Sequence, residues 1–167
     1  MYGEEVWSVA RLSLDGPRIL VDADACPVKD EVVKVAERHG VPVVFVSNGG
    51  LRPSRDPLVR NVVVPKEKAD AADDWIVENA SANDIVVTAD IPLAARAVEL
   101  GCHVLGPTGR PFTSESIGMA VAMRDLKQHL RETGESKGYN ASFSREDRSR
   151  FLGELDRILR RALKPKT

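Results

Sequence analysis

The sequence has few of the features that mark exported, disulfide-bonded or membrane-spanning proteins. Its 167 residues include only two cysteines, Cys26 and Cys102, which are too few for a disulfide framework. No apolar run reaches the ~18 residues of a membrane span, and Glu4 and Glu5 stand where a secretory leader would be basic. We therefore expect a cytoplasmic protein that makes no contact with a membrane.

Aromatic residues and nucleotide-binding motifs are also scarce. Phe, Trp and Tyr together make up 5% of the chain, which argues against recognition of single strands by base stacking. Neither a Gly-x-Gly-x-x-Gly motif nor a Walker-type loop is present, so the binding of a nucleotide cofactor has little support. The sequence therefore disfavours proteins that bind single strands by base stacking and proteins that bind a nucleotide cofactor. Enzymes that need neither feature are still possible.

The net charge of -1 conceals an uneven distribution along the chain. Residues 124–167 carry 12 Lys and Arg against seven acids, a local charge of +5, whereas residues 1–123 carry -6. An acidic body with a basic end is compatible with a metal site beside a surface that binds polyanions. A solvated helix face that is rich in arginine explains the basic end equally well.

Apolar patterns indicate strands that alternate with helices. A parallel sheet covered on both faces follows from this alternation, and we predict a three-layer α/β/α fold with a mainly parallel sheet of about five short strands and two C-terminal helices. Residues 1–17 are predicted as an N-terminal extension and residues 18–167 as one domain. The predicted strands are 18–22, 43–46, 62–64, 84–88 and 103–105, and the predicted helices include 28–39, 70–80, 93–100, 114–132 and a last one that begins near 144.

Carboxylates follow two of the predicted strands. The first strand runs into Asp22 and Asp24, and the fourth ends in Thr88 and Asp90. Ligands of open parallel sheets bind outside the carboxyl ends of the strands. We therefore expect these side chains to line a site.

A helix between those strands adds further acids at Asp70, Asp73 and Asp74, which lie at i, i+3 and i+4 on one face. Several carboxylates within a few ångströms repel one another unless they are protonated or neutralised by a cation. Hard divalent ions with oxygen ligands are the natural partners, so the pattern favours Mg²⁺ or Mn²⁺.

Each of these residues also has a structural interpretation. Asp70 and Asp73 complement the dipole of their helix, and Asp90 is well placed to cap the next one. The segment with Ser47 and Asn48 after the second strand can contact a ligand or form an ordinary turn. Cys26 is interpreted as a small packed residue rather than as a reactive thiolate.

Three segments resemble the uncharacterised YaiI/YqxD family of bacterial proteins, whose fold is related to PIN-like nuclease domains. The segments are Asp22 to Lys29, Asp70 to Asp73, and Asp84 to Ala94, and the resemblance covers about residues 18–163. Similarity to PIN-like domains implies acids at the ends of the first and fourth strands and on an intervening helix. One departure is that PIN domains often present a Glu from that helix, whereas this chain offers Asp.

The function that the resemblance implies is metal-assisted phosphodiester hydrolysis, with RNA expected before DNA as the substrate. The implied catalytic residues are Asp22, Asp24, Asp73 and Asp90, and the implied ligands of Mg²⁺ or Mn²⁺ are Asp22, Asp24, Asp70, Asp73 and Asp90. The residues expected to contact substrate or phosphate are Lys29, Ser47, Asn48, Thr88, Arg124 and Arg131. For the two arginines, ion pairs to acids of the body are the alternative.

Two other functions stay open. An apolar strand followed by Asp-x-Asp also opens phosphatases of the haloacid-dehalogenase type, with Asp22 as the nucleophile. Against that interpretation, Cys26 stands where Thr or Val is expected. The other alternative is a non-catalytic module that binds RNA or a metabolite, and a homodimer is also among the expected assemblies.

Overall fold

The computed structural model describes residues 17–24, 26–132 and 143–163, apart from the side chain of Arg131. Except for Pro17, the predicted N-terminal extension lies outside the described residues, as does the connection over 134–142. The elements are β1 (Ile19–Asp22), α1 (Lys29–His39), β2 (Val43–Ser47), β3 (Val59–Val63), α2 (Ala71–Asn79), β4 (Ile85–Val87), α3 (Ile91–Glu99), β5 (His103–Leu105), β6 (Pro111–Phe112), α4 (Ser114–Glu132) and α5 (Arg145–Ala162).

The strands form one sheet in the order β3-β2-β1-β4-β5-β6. The first five strands are parallel, and β6 runs antiparallel to β5. This arrangement confirms the predicted three-layer α/β/α fold. The sixth strand was not predicted because its two residues, Pro111 and Phe112, carry no apolar run, and a turn closed by the Gly106 N–H on the Arg110 carbonyl (3.0 Å) brings them back onto β5.

Each central strand is buried on both faces, as the continuous apolar runs predict. In β1, Ile19 and Val21 contribute to a core with apolar residues of α1 and α5, whereas Leu20 faces a second core with residues of α2 and α3. All three side chains are fully buried. The two cores hold the strand ends rigidly, which fixes where the polar side chains beyond those ends lie.

A buried ion pair ties the start of β1 to the start of β4. Arg18 and Asp84 are each about 2% exposed, and an Arg18 guanidinium nitrogen lies 2.9 Å from an Asp84 carboxylate oxygen. The Arg18 backbone N–H donates to the other oxygen at 3.0 Å, and the guanidinium also donates to the Asn79 carbonyl. These bonds lock the register that sets the carboxyl ends of β1 and β4 side by side.

Most helix boundaries agree with the sequence. Gly40 ends α1 with a left-handed φ of 66°, and Ser144 and Asp147 form a complete capping box at the start of α5. Helix α3 begins at Ile91, two residues before the predicted start, because Pro92 fits the first turn of a helix. Strand β3 begins at Val59, three residues early, because it pairs with β2 along its whole length.

Helix α4 packs against α3 and β6 and leaves part of its surface in solvent. Met119 and Leu126 are 70% and 51% exposed, and Met123 is also exposed. Within residues 17–24, 26–132 and 143–163, none of the helices combines the length and apolarity that a bilayer crossing requires.

Candidate metal centre

The predicted strand-end residues meet where the order of strands reverses. Strand β1 pairs with β2 on one side and with β4 on the other, so the connections from β1 and β4 leave the sheet in opposite directions. Such a switch point leaves a crevice outside the carboxyl ends of the strands. Here the crevice is a cavity of about 240 Å³ lined by Asp22, Asp24, Cys26, Thr88, Ala89, Asp90 and Pro107.

Thr88 joins the two strand ends. Its hydroxyl donates to Asp22 Oδ2 at 2.9 Å, and the Thr88 hydroxyl oxygen accepts the backbone N–H of Asp90 at 2.9 Å. Thr88 is 1% exposed, so this chain of hydrogen bonds is shielded from competing water. The sequence identified Thr88 as a contact for phosphate; the structure shows it orienting Asp22.

Asp90 caps a helix and lines the cavity at the same time. Its Oδ1 accepts the backbone N–H of Leu93 at 3.0 Å, which is the N-terminal cap of α3. The described residues donate no hydrogen bond to its Oδ2. The capping interpretation and the site interpretation of Asp90 are therefore compatible.

Burial and neighbouring acids raise the pKa of two carboxyl groups at this site. Burial raises the pKa of Asp22 above its ordinary value, the hydrogen bond from Thr88 acts in the opposite direction, and the charges of Asp90 and Asp24 raise it further. Burial and then the carboxylates of Asp90, Asp22 and Asp70 raise the pKa of Asp73 to about 6. Helix α2 therefore brings Asp73 into electrostatic contact with both strand ends.

The other acids of α2 contribute unequally. Asp74 lies 3.1 Å from an Arg96 guanidinium nitrogen on the exposed surface, so it is neutralised away from the cavity. Asp70 occupies the N-terminal cap position of α2, but its side chain accepts no capping hydrogen bond. The pKa of Asp73 reports the charges of both Asp22 and Asp90.

Asp24 connects the cavity to the turn after β2. Both of its carboxylate oxygens lie 3.2 Å from the backbone nitrogen of Asn48. The Ser47 hydroxyl, which is buried, accepts the backbone N–H of Gly49 at 3.2 Å. Ser47 and Asn48 thus form a turn that holds Asp24, and their proposed contact with phosphate stays a prediction.

Cys26 lines the cavity as a neutral thiol. Its side chain is buried, and burial raises the pKa of the thiol above its ordinary value. A thiol that resists ionisation is a poor nucleophile and a poor metal ligand. This agrees with the interpretation of Cys26 as a packed residue.

The side chains that line the crevice carry carboxylate oxygens, which are the donor type that a hard divalent cation prefers. Among the described residues, no group of three or more His, Cys, Asp or Glu side chains is placed to hold a metal ion. Mg²⁺ is usually held by one or two carboxylates, with water and substrate oxygens at its other positions. Asp22 and Asp90, joined through Thr88, supply such a pair, and the repulsion recorded at Asp22 and Asp73 would be relieved by a cation.

Two cationic side chains of α4 share a hollow with the residue that follows Asp90. Arg124 and Lys127 line a hollow of about 350 Å³ together with Ala120, Met123 and Ile91, the residue that follows Asp90. The structure records one ion pair for Arg124, to its neighbour Asp125 at 3.7 Å. Lys127 was not predicted as a contact, although it lies three residues after Arg124 on the same helix.

The remaining predicted phosphate contacts lie elsewhere or cannot be placed. Lys29 begins α1 and lines a separate cavity of about 410 Å³ with Phe45, Leu51 and Arg52, among others. The side chain of Arg131 lies outside the described part of the chain. The structure thus brings Asp22, Asp24, Thr88 and Asp90 together in one cavity, whereas Lys29 lines a different one, although its charge still acts on Cys26.

Comparison with known proteins identifies the family. The fold and the site define an α/β protein with an acidic crevice at the switch point of a parallel sheet. A family model described as an uncharacterized BCR, YaiI/YqxD family, matches residues 20–161, and the chain belongs to this family. No solved structure matches the chain significantly, so its relation to PIN-like domains stays an implication of the resemblance.

Several relatives match almost end to end. The UPF0178 protein mlr0875 of Mesorhizobium japonicum is 82% identical over 92% of this chain and 99% of its own length. A UPF0178 protein of Rhizobium etli is 69% identical over 86% of this chain and 92% of its own. The UPF0178 protein Atu1478 of Agrobacterium fabrum is 67% identical over 89% and 96%, respectively.

Proposed function

We propose that this protein is a divalent-metal-dependent phosphodiester hydrolase that acts on nucleic acid. The observation that carries the proposal is the pairing of Asp22 and Asp90 at the switch point through the buried hydroxyl of Thr88. Two carboxylates held at fixed positions in a crevice are what a hard cation and a phosphate need together. The low net charge of the whole chain does not oppose this function, because acidic and basic side chains are segregated.

The chain's own residues have distinct tasks in this proposal. Asp22 and Asp90 hold the cation, Thr88 fixes the orientation of Asp22, and Asp24 and Asp73 add negative charge around the bound water. When bound, the divalent ion supplies a Lewis acid that stabilises charge on the scissile phosphate and lowers the pKa of a water molecule. Asp70 contributes through its charge next to Asp73.

The cationic side chains of helix α4 favour a polymeric phosphate substrate. Arg124 and Lys127 line the hollow next to Ile91, so two cations stand near the acidic crevice in position to meet phosphates that flank the reacting one. Exposed cations of this kind bind the nucleic acid backbone without reading its sequence. RNA is the first substrate to test and DNA the second.

The test measures cleavage of labelled single-stranded RNA and DNA by the full chain with Mg²⁺, with Mn²⁺ and with chelator. We expect cleavage only with metal, and a loss of at least about 100-fold in Asp22→Asn and in Asp90→Asn, because each removes a ligand charge. Asp74→Asn is the matched control, since Asp74 pairs with Arg96 on the exposed surface. Cleavage that survives in both variants and in chelator would contradict the proposal.

The same proteins separate the alternatives. A phosphatase would release phosphate from an aryl phosphate and leave a covalent adduct on Asp22 that mass spectrometry detects. A binding module would retain RNA affinity that falls with salt, without turnover under any metal condition. Either result would replace the hydrolase assignment.

A further inference from the structure

A second polar cavity lies at the far side of the molecule from the acidic crevice. It has a volume of about 370 Å³ and is lined where the amino end of β5 meets β6, the start of α4 and the last turns of α5. Parallel strands carry the acidic site at their carboxyl ends, so this cavity belongs to the opposite edge of the sheet. Its lining residues are Val98, Cys102, His103, Val104, Pro111, Phe112, Thr113, Ser114, Arg157, Ile158 and Arg161.

The charged side chains that line this cavity are all cationic or become so on protonation. Arg157 is paired with Glu154 on the same helix. Arg161 has no ion pair or hydrogen bond to its guanidinium within the described ranges, and it lies near His103. Among the described residues, no carboxylate lines the cavity. Within that part of the chain, the two guanidinium groups and the imidazole have no counter-charge apart from the Glu154 that Arg157 already engages.

The His103 ring is half-buried and has no hydrogen-bond partner in the part of the chain that the structure describes. Burial lowers the pKa of His103 below its ordinary value, and the Arg161 charge lowers it further. An anion that binds between His103 and Arg161 would offset the Arg161 charge and therefore favour protonation of the ring. The hydroxyl of Ser114, also without a partner among the described residues, adds a neutral donor.

We propose that this cavity is a binding site for a small phosphorylated ligand, whose phosphate group lies between Arg161 and His103. A guanidinium, an imidazole and a hydroxyl match the acceptor oxygens of a phosphate, and charge-assisted bonds of this type are the strong ones. The volume is that of a small-molecule site rather than of a polymer track. The site is independent of the hydrolase function proposed above.

Charged groups around His103 define what its titration reports. Arg157 and Arg161 face it from α5, and β6, the start of α4 and Val98 of α3 contribute no charge to the cavity. Cys102 comes just before β5. Burial and the Asp84 charge raise the pKa of its thiol to about 11, so it stays neutral. Asp84 itself is engaged by Arg18.

The test is a titration of the full chain with sulfate and with inorganic phosphate, followed by NMR of the side-chain nitrogens of His103. Sulfate is included because its charge does not change near neutral pH. We expect binding at one site that is weakened about tenfold or more in Arg161→Gln, the loss of one charged hydrogen bond. Arg145→Gln, which removes the same charge from the first turn of the same helix, should bind as the native protein does.

The pH dependence gives a second readout. Because a bound anion favours the imidazolium, sulfate should bind more tightly as the pH falls through the pKa of His103, and the pKa itself should rise on binding. His103→Gln should bind sulfate with an affinity that no longer changes over that range. Equal affinities in the native protein and Arg161→Gln, or a pH dependence that persists in His103→Gln, would overturn the site.

The organic part of the ligand is tested by competition. Ribose 5-phosphate should displace sulfate more effectively than inorganic phosphate, because the cavity has room for more than the phosphate group. A short RNA oligonucleotide should not displace sulfate from His103. If the oligonucleotide binds there more tightly than ribose 5-phosphate does, the cavity is part of a nucleic-acid surface and the proposal is wrong.

Discussion

Single residues at the acidic crevice combine structural and chemical tasks. Asp90 caps α3 through Oδ1 and leaves Oδ2 available, while its backbone N–H holds Thr88. Asp73 lies in the first turn of α2, and its raised pKa means that burial and the neighbouring carboxylates disfavour its charged form in the folded protein. Removing that charge should therefore affect stability and function in opposite directions.

Replacing Asp73 by Asn is expected to stabilise the metal-free protein at neutral pH. The folded-state pKa of about 6 lies above the ordinary value of 3.8, so the native protein loses stability as the pH rises from about 4 to about 6 and stays at the lower level above that. The side chain is partly exposed, and with solvent screening we expect a gain of about 1 kcal/mol at about pH 7.5.

Urea denaturation at about pH 4, 5 and 7.5 checks this expectation, with the gain shrinking towards zero at the acid end. Asp74→Asn is the control, because its exposed pair with Arg96 should contribute less than about 1 kcal/mol at any pH. A variant at Asp73 that is less stable than the native protein at about pH 7.5 would show that burial and the neighbouring carboxylates do not disfavour its charged form.

At the scale of elements, the turn between β5 and β6 is held by a close approach to α5. Gly109 has a φ of +87°, and a Cβ built there would lie 2.6 Å from the Arg150 carbonyl carbon and from the Phe151 nitrogen. Backbone atoms cannot yield as a flexible side chain would. The position thus needs glycine both for its conformation and for its lack of a side chain.

Two alanine substitutions test this contact. Gly109→Ala should lower the free energy of unfolding by more than about 2 kcal/mol, since it adds backbone strain to a steric clash. Gly153→Ala, in the interior of α5 with no atom within 4 Å of its added Cβ, should raise it by about 0.5–1 kcal/mol. Thermal and urea unfolding of both variants give the comparison, and equal effects would refute the role assigned to Gly109.

The elements also show which signals in a sequence are reliable. The capping side chains of Ser144 and Asp147 predicted the start of α5, and Gly40 predicted the end of α1. Such local signals act within a few residues of the chain. Strand β6 had no local signal, because its two residues become a strand only by pairing with β5.

At the scale of the whole molecule, the basic end of the chain is partly neutralised by the fold. On α5, Arg148 pairs with Glu31, Arg150 with Asp147, and Arg160 with Asp156. These three arginines are exposed, as a solvated helix face rich in arginine would have them, and each also has an ion pair. Helix α4 differs, because Arg124 pairs only with its neighbour and Lys127 has no ion pair among the described residues.

Nucleic-acid affinity should therefore depend on α4. Removing one phosphate contact reduces the slope of log K against log salt by about one. We expect this reduction in Arg124→Gln, measured by fluorescence anisotropy with a short RNA in chelator. Lys34→Gln, an exposed change of the same charge on α1, should leave the slope as it is, and a slope that both variants change equally would exclude α4 as the contact.

The sequence by itself determined the alternation of strands and helices, the two-faced burial of the sheet and the acids that follow β1 and β4, because these depend on local periodicity and on short-range chain direction. The tertiary structure alone decided that Thr88 links Asp22 to Asp90, that the charge of Asp73 interacts with both while Asp74 pairs with Arg96, and that Lys29 lines a different cavity. It also brought His103 and Arg161 into one cavity. Such contacts join residues far apart in the chain, and only the strand order and helix packing, through the burial of apolar surface, fix their distances.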